Sequence, residues 1–193
     1  FIGLPLSVLL YFTAGEVTLI LFGDQWMPSI PIFRILTLSV GIQIVLSSSG
    51  SIFQAAGDTR SLFVCGVFSS VLNVAGILLG IFRIGTLQAV ATCITLTFTV
   101  NFVQCYWMMY RVTLHRSLRH FAVQLVSPLA VSVLLIAVLY PLSLLTEGGN
   151  IFLTLIVKSI IFFCIFGCYI QLTGEYDIIG KAKGILNKRK SRG

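Results

Sequence analysis

The chain has 193 residues, of which 57% are hydrophobic and only 10% are charged. Soluble domains carry about 25% charged residues, so this composition excludes an ordinary soluble fold and predicts a membrane protein. The net charge of +7 does not indicate a nucleic-acid partner, because the cations are not spread over one face. Six of the thirteen lie together near the C-terminus, at Lys181, Lys183, Lys188, Arg189, Lys190 and Arg192.

Six apolar segments are each close to the roughly 20 residues that a spanning helix needs, or longer. In chain order, the predicted helices cover residues 1–22, 31–56, 61–81, 86–110, 121–145 and 151–172. Pro31 suits the first turn of the second helix, where a missing N–H removes no hydrogen bond, and Pro128 predicts a kink in the fifth. The sequence therefore predicts an all-α, polytopic membrane helix bundle over residues 1–172, with a basic cytoplasmic tail over residues 173–193.

The predicted turns alternate in charge from one side of the membrane to the other. One side holds the six tail cations together with Arg60, Arg111, Arg116 and Arg119, whereas the opposite side holds only Arg83. Because Lys and Arg are retained on the cytoplasmic side, both ends of the chain are expected in the cytoplasm. A basic tail just beyond a last helix also attracts anionic lipid headgroups, which we expect as partners.

Three ionisable side chains, those of Glu16, Arg34 and Lys158, are predicted at membrane depth, where charges are costly and usually functional. Glu16 lies about six residues and Lys158 about seven residues from the outer end of its helix, which places both roughly 10 Å below the outer boundary. The two side chains either pair or face one aqueous cavity; alternatively, Lys158 extends its long stem to the outer headgroups. Arg34 is predicted near the outer boundary, in headgroup contact or in a functional site.

Uncharged polar residues also recur at helical spacing. Two stripes either pack within the bundle or line a hydrophilic cavity: Gln88, Thr92, Thr95 and Thr99 in the fourth helix, and Gln43, Ser47, Ser51 and Gln54 in the second. A third face, with Ser69, Asn73, Gly76 and Gly80 in the third helix, predicts close helix packing, since small residues let membrane helices approach and Ser and Asn bond across the contact.

The sequence holds no motif that supports catalysis. It has no Walker A loop, no dinucleotide-binding glycine pattern, no HExxH and no GxSxG. Of the five cysteines, Cys164 and Cys168 share a helix face, but no His or carboxylate lies nearby to complete a metal site. We therefore predict free thiols packed as small apolar groups, no cofactor and no enzymatic activity.

One stretch of the chain resembles a known family. Its residues are Leu21, Phe22, Gly23 and Trp26, then Pro31, Ile32, Arg34, Ile35 and Leu36, and then Gln54, Ala55, Gly57 and Thr59. Together they resemble the LFG-x-x-W, P-I-x-R-I-L and Q-A-x-G-x-T pattern of bacterial polysaccharide biosynthesis membrane proteins. These are the Wzx-type oligosaccharide flippases of the MOP (multidrug/oligosaccharidyl-lipid/polysaccharide) superfamily.

The resemblance implies a function. Such flippases carry two helical lobes around a central cavity and move lipid-linked oligosaccharide units across the bacterial cytoplasmic (inner) membrane, for exopolysaccharide, O-antigen or capsule. This chain would correspond to most of the C-terminal lobe, and we expect the N-terminal lobe as a missing partner, because the chain begins at Phe1 rather than Met. Cavity cations would hold the pyrophosphate or acidic sugars. The substrate-path candidates are Arg34, Lys158, Glu16, Gln43, Gln88 and Thr92.

Two other functions remain open from the sequence. The first is a small-solute or multidrug antiporter of the same superfamily, in which Glu16 would couple transport to a cation or a proton. The second is a non-transporting membrane scaffold subunit that uses its basic tail as a contact surface.

Overall fold

The structure, a computed structural model, describes residues 2–113, 118–146 and 150–173. Its six long helices are α1 (Gly3–Phe22), α2 (Ile30–Ala55), α3 (Thr59–Leu79), α4 (Leu87–Met108), α5 (Leu118–Leu145) and α6 (Ile151–Thr173). All six are long and apolar enough to cross a membrane, and the described part holds no strand. The predicted all-α, six-helix, multi-pass membrane protein is therefore confirmed.

The helices extend beyond several of the predicted boundaries. The predicted turn at 23–29 is largely a 3-10 helix, Asp24–Ser29, that continues into α2. The loop predicted at 111–120 is wrong in part, because helical structure continues to Thr113 and resumes at Leu118; residues 114–117 lie outside the described part. The prediction ended each helix at the first polar residues. A helix can continue past the apolar layer, because its backbone hydrogen bonds are made within the helix itself.

Helix α1 joins two groups of helices. It packs against α2 on one side and against α5 and α6 on the other, while α2 packs against α4, and α4 against α3. Within the described ranges, neither α5 nor α6 forms a comparable interface with α2, α3 or α4. The bundle is therefore open between its two groups, and α1 lies at the base of that opening. We call its two ends the Trp26 end and the Asp58 end, after residues in their turns.

The α1–α2 interface depends on two glycines that bring the backbones together. A Cβ atom on Gly41 would lie 2.6 Å from the carbonyl oxygen of Gly3 and 2.8 Å from Ser7 Oγ. The Gly41 N–H also donates to Ser7 Oγ at 2.6 Å. Small residues allow such close approach in membrane bundles, and this contact fixes the register of α1 against α2.

Gly41→Ala is therefore expected to force α1 and α2 apart. Overpacking of this kind costs about 1–3 kcal/mol of unfolding free energy, which equilibrium unfolding in mixed detergent micelles would measure. Gly66→Ala is the matched control, because a Cβ there meets nothing within 4 Å. Equal stability of the two variants would contradict the close crossing.

The predicted packing face of α3 is confirmed. Thr97 Oγ1 on α4 donates to Asn73 Oδ1 at 2.7 Å, and Asn101 Nδ2 donates to Ser69 Oγ at 2.9 Å. A Cβ on Gly76 would lie 2.5 Å from the Thr97 methyl group. Polar bonds and a glycine contact thus hold α3 against α4, as the spacing of these residues indicated.

Asp58 ties the turn between α2 and α3 to the end of the helical segment that follows α4. It caps α3, because its Oδ1 accepts the backbone N–H of Ser61 at 3.0 Å, and its Oδ2 accepts the Thr113 hydroxyl at 2.7 Å. The Ser61 side chain, then the Thr113 hydroxyl and then the Ser61 N–H hold the pKa of this carboxyl below its usual value. Each of these bonds favours the charged carboxylate.

The pH dependence of this contact follows from that lowered pKa. Because the folded-state pKa is below the unfolded one, the stabilisation is present above about pH 4 and is lost as the pH falls through the folded pKa. Thr113→Val should raise the pKa of Asp58, as measured by carboxyl-carbon NMR, whereas Thr92→Val, far from the turn, should leave it unchanged. An unaltered Asp58 pKa in Thr113→Val would exclude the contact.

Candidate functional site

A buried ion pair joins α1 to α6 in the half of the bundle nearer the Trp26 end. The Lys158 ammonium donates to Glu16 Oε1 and to the carbonyl oxygen of Phe12 at 2.9 Å. Phe12 and Glu16 are one turn apart on α1, so both acceptors face α6. The lysine and glutamate side chains are 3% and 15% exposed. Of the predicted arrangements, the structure therefore shows the pair, and the extension of Lys158 to the headgroups is not observed.

The pair changes what each side chain can do. Lys158 is neutralised by Glu16, so it is not a free cation that faces the opening of the bundle. Glu16 is the more exposed of the two side chains. A buried pair adds little stability over an apolar replacement, but removal of one partner leaves an uncompensated charge and is costly.

We expect Glu16→Gln to lower the unfolding free energy by about 3 kcal/mol or more, because it leaves the Lys158 ammonium buried without a counter-charge. The double variant Glu16→Gln/Lys158→Met removes both charges, and its loss of unfolding free energy should be smaller than that of Glu16→Gln alone. Equilibrium unfolding in mixed detergent micelles measures both values. Additive losses from the single variants Glu16→Gln and Lys158→Met would show that the two side chains do not interact.

Arg34 is the fifth residue of α2, which begins at Ile30. Its guanidinium lies beside α1, 3.9 Å from a Cβ built on Gly15. The side chain is exposed and, within the described ranges, forms no ion pair. It therefore presents an available positive charge beside α1.

Arg34 forms one wall of a cleft of about 230 Å³ between α1, α2 and α5. The other lining residues are Tyr11, Phe12, Tyr140, Ser143 and Leu144. Phe12 also supplies the carbonyl that Lys158 binds, so the cleft and the ion pair share one turn of α1. The cleft combines one cation, two aromatic rings with hydroxyl groups and a serine.

Two predicted residues of α4, Gln88 and Thr92, lie on the same side of the bundle as Arg34. Thr95 faces α2, where its hydroxyl donates to the carbonyl of Ile35 at 3.2 Å, while Thr97 bonds to α3. Gln88 and Thr92 precede Thr95 by two turns and one turn, and both are exposed. They lie on the edge of α4 away from α3, which is also the side of α2 that carries Arg34. Gln88 and Thr92 do not line the cleft that holds Arg34, but they border the same open side of the bundle, which we call the groove.

Gln43 is not part of this groove. It follows Arg34 by nine residues, which is two and a half helical turns, so it projects from the opposite face of α2. Its amide nitrogen donates to Ser39 Oγ on the same helix at 2.8 Å, so this hydrogen bond needs no residue from another helix. The polar stripe of α2 therefore does not converge with the stripe of α4, although both consist of uncharged polar residues at helical spacing.

The cleft includes functional candidates that the sequence did not single out. Tyr11, Tyr140 and Ser143 lie in apolar helices. A hydroxyl group within such a helix was the only sequence feature that could have identified them as site residues. The predicted cations Arg116 and Arg119 and the six tail cations have no described side chains, so the predicted orientation and lipid contact of the tail stay predictions.

The chain matches no protein-family model, no curated protein and no solved structure. The functional argument therefore rests on the residues of this chain and their arrangement.

Proposed function

We propose that this chain forms part of a membrane transporter that moves lipid-linked oligosaccharide units across the bacterial cytoplasmic membrane for envelope polysaccharide synthesis. The observation that carries the proposal is the cleft beside α1, in which exposed Arg34 lies with Tyr11, Tyr140 and Ser143. The likeness of residues 21–59 to the flippase pattern supports the same function, and Arg34 stands within that pattern.

The chemistry of the groove suits such a substrate. A guanidinium binds phosphate or carboxylate oxygens through two parallel hydrogen bonds, so Arg34 would hold the pyrophosphate or an acidic sugar. Tyrosine and serine hydroxyls both donate and accept hydrogen bonds, as sugar hydroxyls require. Lys158 is paired with Glu16, which leaves Arg34 as the cation that meets the substrate.

The open side of the groove supports a second helical lobe as a partner. Within the described residues, α4 forms no packed interface with α1 or α5, so the polar edge formed by Arg34, Gln88 and Thr92 has no facing wall. We propose that a second lobe closes this side, and that the relative movement of the two lobes exposes Arg34 to each membrane surface in turn.

Arg34→Ala in the protein as it occurs in its cell is expected to reduce surface polysaccharide by about tenfold or more, since a hydrogen bond to a charged group contributes about 1.5–3 kcal/mol. Arg34→Lys should restore part of the output, because it keeps the charge and loses the two-pronged geometry. Polymer yield at matched membrane protein levels measures both.

Arg83→Ala is the matched control, because Arg83 is an exposed cation in the turn after α3, away from the groove. It should leave polymer yield unchanged. Normal yield in Arg34→Ala, or an equal reduction in Arg83→Ala, would contradict the role proposed for Arg34.

The ion pair favours a second candidate function, the ion-coupled export of small solutes. Glu16 is a partly exposed carboxylate at membrane depth, one turn from a residue of the cleft. In that case Glu16→Gln would abolish proton-dependent efflux of a cationic dye, while Arg34→Ala would not. A scaffold role for the basic tail stays a prediction, because residues 174–193 lie outside the described part.

A further inference from the structure

Three sulfur atoms meet between α3 and α4 near the Asp58 end, on the other side of the bundle from Arg34. Cys65 Sγ lies 3.6 Å from Met108 Sδ. Cys65 and Cys105 pack in one cluster of buried side chains, in which Cys105 Sγ also donates to Ser49 Oγ at 3.4 Å. Cys105 and Met108 are three residues apart on α4, so their side chains share one face. Cys65 and Cys105 are 5% and 4% exposed. Two helices thus bring two thiols and a thioether into one buried cluster.

A cleft of about 250 Å³ leads to this cluster between α2, α3 and α4. Cys65 and Cys105 line it, together with Ser49, Ser69 and Asn101. It also borders Gly66, and a Cβ there would meet nothing within 4 Å, so the backbone of α3 leaves this side open. The sulfur atoms are therefore buried in the bundle but adjoin a space that a small ion can enter.

Two buried amide oxygens on α4, the helix that carries Cys105 and Met108, have no hydrogen-bond partner. They are Asn101 Oδ1 and Gln104 Oε1, and both are buried. Asn101 is 8% exposed and lines the cleft, and the Gln104 amide group donates to Met108 Sδ at 3.8 Å. An unpaired buried acceptor costs about 1–3 kcal/mol. A cation held beside Asn101, which lines the cleft, would give this buried acceptor a positively charged partner.

The donor set favours a soft, monovalent ion. Thiolate and thioether ligands suit Cu+, Zn²⁺ and iron–sulfur clusters. Structural Zn²⁺ and iron–sulfur clusters require four ligands, whereas this cluster offers three sulfur atoms, which favours Cu+. At a metal–sulfur distance of about 2.3 Å, two sulfur atoms that are 3.6 Å apart subtend roughly 100° at a shared ion. One thiolate is enough to neutralise a monovalent cation, so the loaded site carries no net charge within its apolar surroundings.

We propose that Cys65, Cys105 and Met108 form a binding site for one soft monovalent metal ion of the Cu+ class. When the ion binds, one thiol releases its proton to solvent, and the resulting thiolate, the second thiol and the thioether donate electron pairs to the metal. No electron is transferred, and the ion remains monovalent. The site is independent of the groove and of the function proposed for it.

The test is a competition between the purified protein and a chromophoric Cu+ chelator, under anaerobic reducing conditions, with Ag+ as a redox-inert second probe. The protein is expected to withdraw one equivalent of Cu+ from the chelator. Cys65→Ser and Met108→Leu should each weaken binding by about tenfold or more, because changes outside the ligand set alone cost about 10–100-fold. Met108→Leu conserves side-chain volume, so the fold is expected to be retained and the loss then reports on the sulfur ligand.

The other thiols supply matched controls. Cys93→Ser and the double variant Cys164→Ser/Cys168→Ser should bind Cu+ as the unaltered protein does, since Cys164 and Cys168 are exposed and distant in sequence from the cluster. Binding that is lost in the double variant and kept in both Cys65→Ser and Met108→Leu would overturn the proposal. So would a failure of the unaltered protein to take Cu+ or Ag+ from the chelator.

Discussion

The close crossing of α1 and α2 at Gly3 and Gly41 sets the position of everything that surrounds α1. Because the backbones touch there, the register of the two helices is fixed, and the Arg34 guanidinium comes to lie 3.9 Å from a Cβ built on Gly15 of α1. On its other faces α1 meets α5 and α6. One helix thus carries the contacts that hold the bundle together and also forms the floor of its groove.

The buried pair gives Lys158 and Arg34 different roles, although the sequence shows both as cations at membrane depth. Lys158 is enclosed and bonded to Glu16 and to the Phe12 carbonyl, so its charge is used within the protein. Arg34 is exposed in a cleft that shares Phe12 with that pair. The proposed transport function therefore depends on Arg34 for substrate contact, and on Lys158 for the placement of α6 against α1.

Much of the fold was predictable, because six long apolar segments in membrane protein chains form helices whatever their neighbours. The pairing of Glu16 with Lys158 was among the predicted arrangements, since the helical rise alone places the two residues at the same level. The side of a helix that faces the groove was not predictable. The Gln43 stripe of α2 and the Gln88 stripe of α4 are both uncharged polar residues at helical spacing, and only the packing of α1 and α3 separates them. The sulfur cluster was missed because Cys65, Cys105 and Met108 come together only when α3 packs on α4.

The central claim is that a water-accessible groove lies on the Arg34 side of α2 and not on the Gln43 side. The most direct measurement is the reaction of single cysteines with a membrane-impermeant thiol reagent, in a background in which all five native cysteines are replaced by serine. Cysteine at Thr92 or Ser143 is expected to react, whereas cysteine at Gln43 is expected to stay unreactive in the lipid. Equal labelling at Gln43 and Thr92, or protection at both Thr92 and Ser143, would contradict the account.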